Sequence, residues 1–307
     1  MQGNIEIIDT ESDWKLSDPE LQTLLNFFPR GLIALDLETT GLSPLVDQII
    51  EIAALKITPD GAFLFDTLIN PGIPIPEETI VFHQINDEMV KNSPKILEIL
   101  PSFHYFLEDL PIVAHNAKFD LGFIVMALQK NSMPLSGSDI FCSCKLARHT
   151  HKSAQNHKLK TLVTEMGIPL VNHHQALDDA FACLKVFIKS LELVEGEHLR
   201  PHSYLFNLLD FNKISAGEFP EHLSPLIHLV QKAAVIEIKY NGGKLKNEFR
   251  PVKLTGLINS PEGSVLYARC LLTDIYKTFQ LKKITELRTP NAEQIQNWLK
   301  KHEKNNI

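Results

Sequence analysis

Apolar positions recur with two different periods along this chain, and the change of period divides it. Near the start, Leu21, Leu24, Leu25 and Phe28 fall three and four apart behind Ser17-Asp18-Pro19-Glu20. A capping serine and a proline suited to a first helical turn make residues 11 to 28 a predicted short helix with one apolar stripe. Leu32-Ile33-Ala34-Leu35-Asp36-Leu37 then predicts a buried strand ending in a carboxylate. Gln48 to Ile57 is largely apolar and Phe63 to Ile69 alternates, which together predict an antiparallel meander. Pro71 to Pro76 is an extended loop, and Asn86 to Val90 opens a helical stretch.

Helical period then dominates. Ile96, Leu97, Leu100, Phe103, Phe106 and Leu107 mark a helix over Lys95 to Leu107, and Ile112-Val113-Ala114 a short strand. Phe119 to Lys130 follows as a helix with Phe123, Met126 and Ala127 inward. Lys158 to Met166 is another, stopped by Gly167 and Pro169. The last long helix, Ala176 to Val194, places Leu177, Ala180, Phe181, Leu184, Phe187, Ile188 and Leu191 on one face. Three strands followed by alternating helices predict a mixed sheet covered by helices.

After Glu195-Gly196-Glu197 the pattern shifts again. Residues 201 to 231 read as helical linker segments, clearest at Leu223 to Val230. Strands follow at Val235 to Tyr240, Phe249 to Leu257, Ser264 to Leu271 and Tyr276 to Leu281, with a hairpin-type turn at Asn241-Gly242-Gly243. Asn291 to Lys301 closes as a helix. The expected organisation is an N-terminal helical extension (1–30), an α/β domain (31–194), a helical linker (195–231) and a small β-rich domain with a C-terminal helix (232–307).

Length and composition agree with two globular domains: 307 residues, 44% hydrophobic and 22% charged. No apolar run has the roughly 18 residues of a membrane helix. The acidic start, with Asp9, Glu11 and Asp13, lacks a secretory signal's basic and apolar regions, giving an expectation of a cytoplasmic protein. Cys142, Cys144, Cys183 and Cys270 are too few for a disulfide framework. Cys142 and Cys144 precede His149, His151 and His157, but without the paired Cys-x-x-Cys spacing of zinc sites. They read instead as small residues on a helix before a polar loop. The net charge of −7 hides a division: from Lys232 onward 14 basic residues face 7 acidic, leaving 16 basic against 30 acidic before it. A basic tail is a footprint for a polyanion, and an acidic body invites metal ions; both are also compatible with solvated surfaces.

The acids fall in telling places. Asp36 and Glu38 stand two apart on a strand, so both project from one face and can share metal ions. Thr39-Thr40-Gly41-Leu42 then marks a tight turn where backbone can meet a terminal nucleotide. Asp120 opens a helix just after the strand end Val113-Ala114-His115-Asn116, where it can also serve as a cap. Asp179 lies in the first turn of the last long helix, with His174 in the loop ahead. Hard divalent cations want such oxygen ligands, and a neutral imidazole there can take a proton from attacking water.

In their order, these motifs resemble a known family. Asp36-Leu37-Glu38-Thr39-Thr40-Gly41, Phe82-His83-Gln84-Ile85, His115-Asn116-Ala117-Lys118-Phe119-Asp120 and His174-Gln175-Ala176-Leu177-Asp178-Asp179 make residues 31 to 192 similar to the exonucleases with a ribonuclease H-like fold. The likeness is to the branch with four carboxylates and a histidine (DEDDh), which includes the proofreading epsilon subunit of bacterial DNA polymerase III. The resemblance implies a 3′–5′ exonuclease with two Mg²⁺ or Mn²⁺ ions, acting on single-stranded DNA or RNA 3′ ends. It implies that Asp36 bridges both ions, that Glu38 and Asp179 complete one site, and that Asp120 holds the other. His174 would be the general base, in preference to His173, which misses the motif register. Thr39, Thr40, Leu42, His83, His115, Asn116 and Phe119 would line the pocket for the terminal nucleotide, although His83 and His115 also suit polar caps near element ends. Two other readings stay open: a nucleic-acid or nucleotide sensor with little catalysis, and a proofreading subunit acting with a polymerase.

Residues 233 to 288 resemble the WYL domain, a module similar to Sm or SH3-like barrels. The matching pieces are Ile238-Lys239-Tyr240, Arg250-Pro251-Val252, Leu266-Tyr267-Ala268-Arg269-Cys270 and Lys277-Thr278-Phe279-Gln280-Leu281-Lys282-Lys283-Ile284. The first two positions of the naming triplet read Ser264 and Val265, and two usual arginines are Lys277 and Lys283. Positive charge is kept while the bidentate fork is lost. The resemblance implies a nucleotide or oligonucleotide ligand touching Tyr240, Arg250, Arg269, Lys277 and Lys283. A core role for Tyr240 and a solvated strand face for the cations are the alternative.

Overall fold

The computed structural model describes residues 5–7, 14–42, 44, 47–169, 175–194, 198–213, 221–243, 245–258, 261, 263–273 and 275–303. The chain divides into two compact units, residues 1–41 with 47–209, and residues 42–46 with 210–307.

The first unit opens with strand β1 (Ile5–Ile7) and helix α1 (Asp18–Phe27), where Ser17 and Glu20 form a reciprocal capping box. Next come β2 (Leu32–Thr39), β3 (Ile49–Thr58) and β4 (Gly61–Leu68), the predicted meander. Short helices α2 (Glu77–His83) and α3 (Asp87–Val90) lead to α4 (Ile96–Leu107). Strand β5 (Ile112–Ala114), helix α5 (Lys118–Lys130), strand β6 (Asp139–Cys142) and helix α6 (Ser143–Thr150) follow. The unit ends with α7 (Leu159–Glu165), α8 (Ala176–Leu191), α9 (Leu199–Ser203) and β7 (Tyr204–Asn207).

Its seven strands lie in the order β1-β4-β3-β2-β5-β6-β7. β2 runs antiparallel to β3 but parallel to β5, so the sheet is mixed, in the expected ribonuclease H-like manner. Alternation sorts side chains to two faces. Leu32 and Ala34 of β2 join Ala53, Leu55 and Ile57 of β3 beneath α8, whose Leu177, Leu184, Phe187, Ile188 and Leu191 close that core. Leu24 of α1 and Phe28 belong to the same cluster, and Phe28 meets Phe141 edge-on at 5.1 Å. On the other face Phe65 packs against Phe103 and Phe106 of α4.

Several expectations are corrected. The 195–231 segment is more than a linker, because Tyr204–Asn207 pairs antiparallel with β6 and completes the sheet. β6 was missed as a four-residue strand, too short to show a period, and Cys142 is its last residue rather than part of a helix. On α5 the buried residues are Leu121, Phe123, Ile124, Val125 and Leu128, while Met126 and Ala127 are half-buried. Phe181 of α8 is half-buried as well.

The second unit contains α10 (Pro225–Gln231), β8 (Val235–Tyr240), β9 (Phe249–Ile258), β10 (Val265–Cys270), β11 (Ile275–Gln280), β12 (Ile284–Arg288) and α11 (Ala292–Glu303). The strands are antiparallel in the order β11-β10-β9-β8-β12. Leu223 and Leu226 cover Ile236, Ile238, Val252, Leu254, Leu266, Ala268 and Phe279. β12 was not anticipated from its pattern; it pairs with β8. Among the described residues β11 and β12 do not pair with each other, so the sheet is open where a closed Sm- or SH3-like barrel was expected.

Candidate active site

Each acidic residue is delivered by a different part of the first sheet or its helices. Asp36 and Glu38 alternate with Leu35 and Leu37 on β2 and point to the face that α8 covers. Asp179 sits in the first turn of α8, where its N–H donates to Gln175 O at 3.1 Å. Carboxylate oxygens of Asp36, Glu38 and Asp179 lie within 4.8 Å of one another, the one metal-capable grouping among the described residues. Asp120, in the first turn of α5, is buried, and its Oδ2 has no hydrogen-bond partner.

Such crowding perturbs every member. Burial, and then the charges of Asp120, Asp179, Glu38 and Glu51, hold the Asp36 carboxyl well above the usual carboxylate range. Burial raises Glu38 to about 8, with Glu51, Asp179 and Asp120 adding repulsion. Asp120 is pushed up to about 8 by burial, against hydrogen bonds from its own backbone and that of Leu37. Carboxyls held this way either keep a proton or take up a cation. The donor set is all oxygen, and a buried carboxylate oxygen has no partner, so the residues present fit hard divalent cations.

Glu51 is a further member that the motifs did not reveal. It stands on β3 directly opposite Glu38 of β2 in the strand register and accepts a hydrogen bond from Ala176 N, the first residue of α8, at 3.3 Å. Burial raises it to about 7, with Asp66 adding repulsion and the Ala176 hydrogen bond opposing both. The signal lay in Ile49-Ile50-Glu51-Ile52-Ala53-Ala54, where one acid interrupts a buried run. Asp178, beside Asp179, is also buried, and its Oδ1 accepts from the Trp14 indole at 3.0 Å.

The expected pocket residues divide. Thr39 and Thr40 are buried in the turn: Thr39 Oγ1 donates to Gly41 O, and Thr40 Oγ1 accepts from Gln48 N at 3.0 Å. A Cβ on Gly41 would lie 2.5 Å from the Asp47 carboxylate, so a side chain there would oblige Asp47 to shift. Leu42 is exposed. His83 is buried, and burial keeps its imidazole below the usual value; Nδ1 accepts from Ile85 N while Nε2 has no partner. Asn116 is exposed in a left-handed backbone conformation, with φ of 63°. Phe119 is half-buried against Phe123, with ring centroids 5.1 Å apart.

His115 departs from expectation. Nε2 lies 3.0 Å from His157 O, an acceptor, so that nitrogen carries the proton. Nδ1 then accepts from Ser143 Oγ at 2.8 Å, and Ser143 Oγ in turn accepts from Cys183 Sγ. Burial drops the ring to about 4. Both ring nitrogens are committed to the protein, so His115 ties the end of β5 to α6 and to His157 and offers no ring nitrogen to a nucleotide. His173 and His174 lie outside the described residues. Cys144 Sγ donates to His157 O at 3.3 Å.

In the second unit the expected ligand residues fall on two faces. Tyr240, Arg250 and Lys277 share the side of Val252, Ala268 and Phe279 by strand register, and Tyr240 meets Phe279 edge-on at 5.1 Å. Arg250 is buried, with its guanidinium 5.8 Å from the Tyr240 ring and Nε without a partner. Arg269 pairs with Lys253 and Tyr276, which alternation puts on the opposite face. Lys283 is exposed in the turn before β12. The five do not form one cluster.

Comparison with known proteins gives the following. The RNase_T family, described as exonuclease, matches residues 33–187. A PolC-type DNA polymerase III of Caldanaerobacter subterraneus subsp. tengcongensis is 35% identical over 189 residues, covering 61% of this chain and 13% of that protein. The PolC-type enzyme of Pediococcus pentosaceus is 28% identical over 275 residues, covering 83% of this chain and 18% of its own length. The chain thus spans under a fifth of the length of these relatives. Among solved structures, exonuclease X in complex with 5′ overhanging duplex DNA is 26% identical with a TM-score of 0.42, covering 52% of this chain and 91% of the other. The nuclease domain of 3′hExo, a DEDDh family member bound to rAMP, is 16% identical with a TM-score of 0.47, covering 55% and 94%.

Proposed function

Because this chain belongs to the exonuclease family, we propose that it is a 3′–5′ exonuclease that hydrolyses the terminal phosphodiester of single-stranded DNA or RNA with two divalent cations, Mg²⁺ or Mn²⁺. The observation that carries this reading is the convergence of Asp36, Glu38 and Asp179 within 4.8 Å, with the buried Asp120, whose Oδ2 has no partner, close enough for its charge to act on Asp36. Asp36, Glu38, Asp179 and Asp120 are the residues that would hold the ions. When bound, the ions would neutralise the phosphate and lower the pKa of the attacking water.

The chain's own residues do the rest. His174 takes the proton of the attacking water as general base. Water oxygen bonds to the terminal phosphorus, the bond from phosphorus to the preceding O3′ breaks, and that oxygen takes up a proton. A nucleoside 5′-monophosphate leaves, and the shortened strand ends in a new 3′-hydroxyl. The Thr39-Thr40-Gly41 turn presents backbone to the terminal nucleotide, Phe119 an aromatic face and Asn116 an exposed amide. His83, neutral and with Nε2 free of protein partners, is available to donate a hydrogen bond.

The test uses end-labelled single-stranded DNA and RNA with Mg²⁺, Mn²⁺ or chelator. Wild type shortens 3′ ends in the presence of metal, and Asp36→Ala and Asp179→Ala do not. An inert wild type that binds oligonucleotides as well as its variants do would favour the sensor reading instead. A second reading, proofreading beside a polymerase in the cytoplasm, has its support in the PolC-type relatives. Co-purification with a polymerase catalytic subunit, and mismatch-stimulated cleavage in its presence, would test it. For the second unit we propose a WYL-like role in holding a nucleotide or oligonucleotide through Tyr240, Arg250 and Lys277. Its support is the basic balance of the tail and the shared face of those three residues.

A further inference from the structure

The first turn of α8 is held by partners, Trp14 and Glu51, that the exonuclease motifs do not include. Asp178 is the third residue of α8 and is buried, so its carboxylate needs a donor. Trp14 supplies one: its indole Nε1–H donates to Asp178 Oδ1 at 3.0 Å, across 164 positions of sequence. Trp14 also packs against the core cluster that α8 shares with β2 and β3. Further along α8, Lys185 forms an ion pair with Glu20 of α1, and Phe187 packs against Phe28 at 6.0 Å. Glu51 accepts from Ala176 N at the very start of the helix.

Asp179 therefore follows two anchored residues, Ala176 and Asp178, in the first turn of α8. Trp14, Glu20 and Phe28 all precede residue 33, where the family match begins. Three of these anchoring residues thus lie ahead of the matched exonuclease region, while Glu51 lies within it.

We infer that Trp14 is a positioning residue: through its hydrogen bond to Asp178 it holds the Asp179 carboxylate in the geometry at which it meets Asp36 and Glu38. The inference rests on the proposed metal-ligating role of Asp179. Trp14 touches no reacting atom. Its effect is on where a ligand carboxylate points, and small displacements of a reacting group are costly. A hydrogen bond to a buried carboxylate also orients that carboxylate more strongly than packing alone can.

The experiment compares the full chain carrying Trp14→Phe, Asp178→Ala, Asp178→Asn and the Trp14→Phe/Asp178→Ala double change. Thermal unfolding in chelator accompanies each to establish that the fold is kept. Trp14→Phe keeps the ring in the core and deletes the donor; kcat on a single-stranded oligonucleotide should fall about tenfold with KM within about twofold of wild type. The Mg²⁺ concentration for half-maximal activity should rise with it. Asp178→Ala should match that loss, and the double variant should lose no more than either single change, because both remove one interaction. Asp178→Asn, which still offers an oxygen to the indole, should rescue most of the activity. A merely structural brace would move unfolding temperature without moving the metal requirement.

A second readout is independent of turnover. The chain has two tryptophans, so Trp298→Phe leaves Trp14 as the sole emitter. Its emission should change on Mg²⁺ titration, and Asp178→Ala should abolish the change. Full kcat and an unmoved metal requirement in Trp14→Phe, or losses that multiply in the double variant, overturn the inference. If wild type is inert with every metal, the exonuclease reading fails, while the Mg²⁺ response of Trp14 still decides the positioning claim.

Discussion

Replacing Glu38 with Gln should make the metal-free protein more stable at pH 8 while removing its nuclease activity. Glu38 is raised to about 8 in the folded chain from an ordinary 4.5, chiefly by burial and then by Glu51, Asp179 and Asp120. Between those two values the unfolded chain has released a proton that the folded chain keeps, so stability falls as pH rises across the window and levels off above it. One pKa unit corresponds to about 1.4 kcal/mol, which sets an upper bound of about 4 kcal/mol at pH 8 for this one carboxyl. Its neighbours relax when it is removed, since each then ionises more easily, and the net gain becomes about 1–3 kcal/mol. For a unit of this size that is a rise of about 3–8 °C in Tm. The assay is thermal unfolding in chelator at pH 8 and pH 5, with and without Mg²⁺. At pH 5 the folded wild type holds its Glu38 proton, so the gap between variant and wild type should shrink. Added Mg²⁺ at pH 8 should raise the wild-type Tm and leave the variant nearly unmoved. An unchanged or lower Tm for the variant at pH 8, or a gap that persists at pH 5, would refute the claim that repulsion among these carboxyls is what a cation relieves.

Three further outcomes follow from the same geometry. Glu51→Gln keeps an acceptor for Ala176 N but deletes a charge facing Glu38; the acid limb of the pH–rate profile should move to lower pH, and an unmoved limb would show that Glu51 has no field at the site. Gly41→Ala obliges the Asp47 carboxylate to move away from the new Cβ and so disturbs the turn; kcat/KM on a labelled oligonucleotide should fall up to about tenfold with a small change in Tm. Arg250→Met replaces a buried guanidinium that has an unpaired Nε with an apolar side chain; the stability of the second unit should rise by about 1–2 kcal/mol while oligonucleotide binding weakens. Binding by fluorescence anisotropy that is equal for variant and wild type across a salt series would remove the ligand role for Arg250.

Much was legible along the chain because the relevant signals are local. Two acids two apart on a strand must share a face, so Asp36 and Glu38 needed no tertiary information. The capping box at Ser17, the meander of β2 to β4 and the long apolar stripe of α8 are written in residues a turn or a pleat apart. The order of the three acidic motifs and the family they indicate were likewise matters of sequence alone.

What sequence could not carry was anything requiring two distant segments to meet. Glu51 looked like one acid in an apolar strand until cross-strand register set it opposite Glu38. His115 looked like a pocket residue until packing brought His157 O and Ser143 Oγ to its two ring nitrogens. β6, β7 and β12 are strands of four or five residues, too short for a period, and exist because a neighbouring edge satisfies their backbone groups. The strands of the second unit were readable, but whether their sheet closes depends on which edges find partners, and β11 and β12 do not find each other among the described residues. Chemistry of the site was thus set by residue type and local spacing. Its electrostatics, its bracing by Trp14 and the division of the tail's cations between two faces were set by long-range packing, which no short-range period encodes.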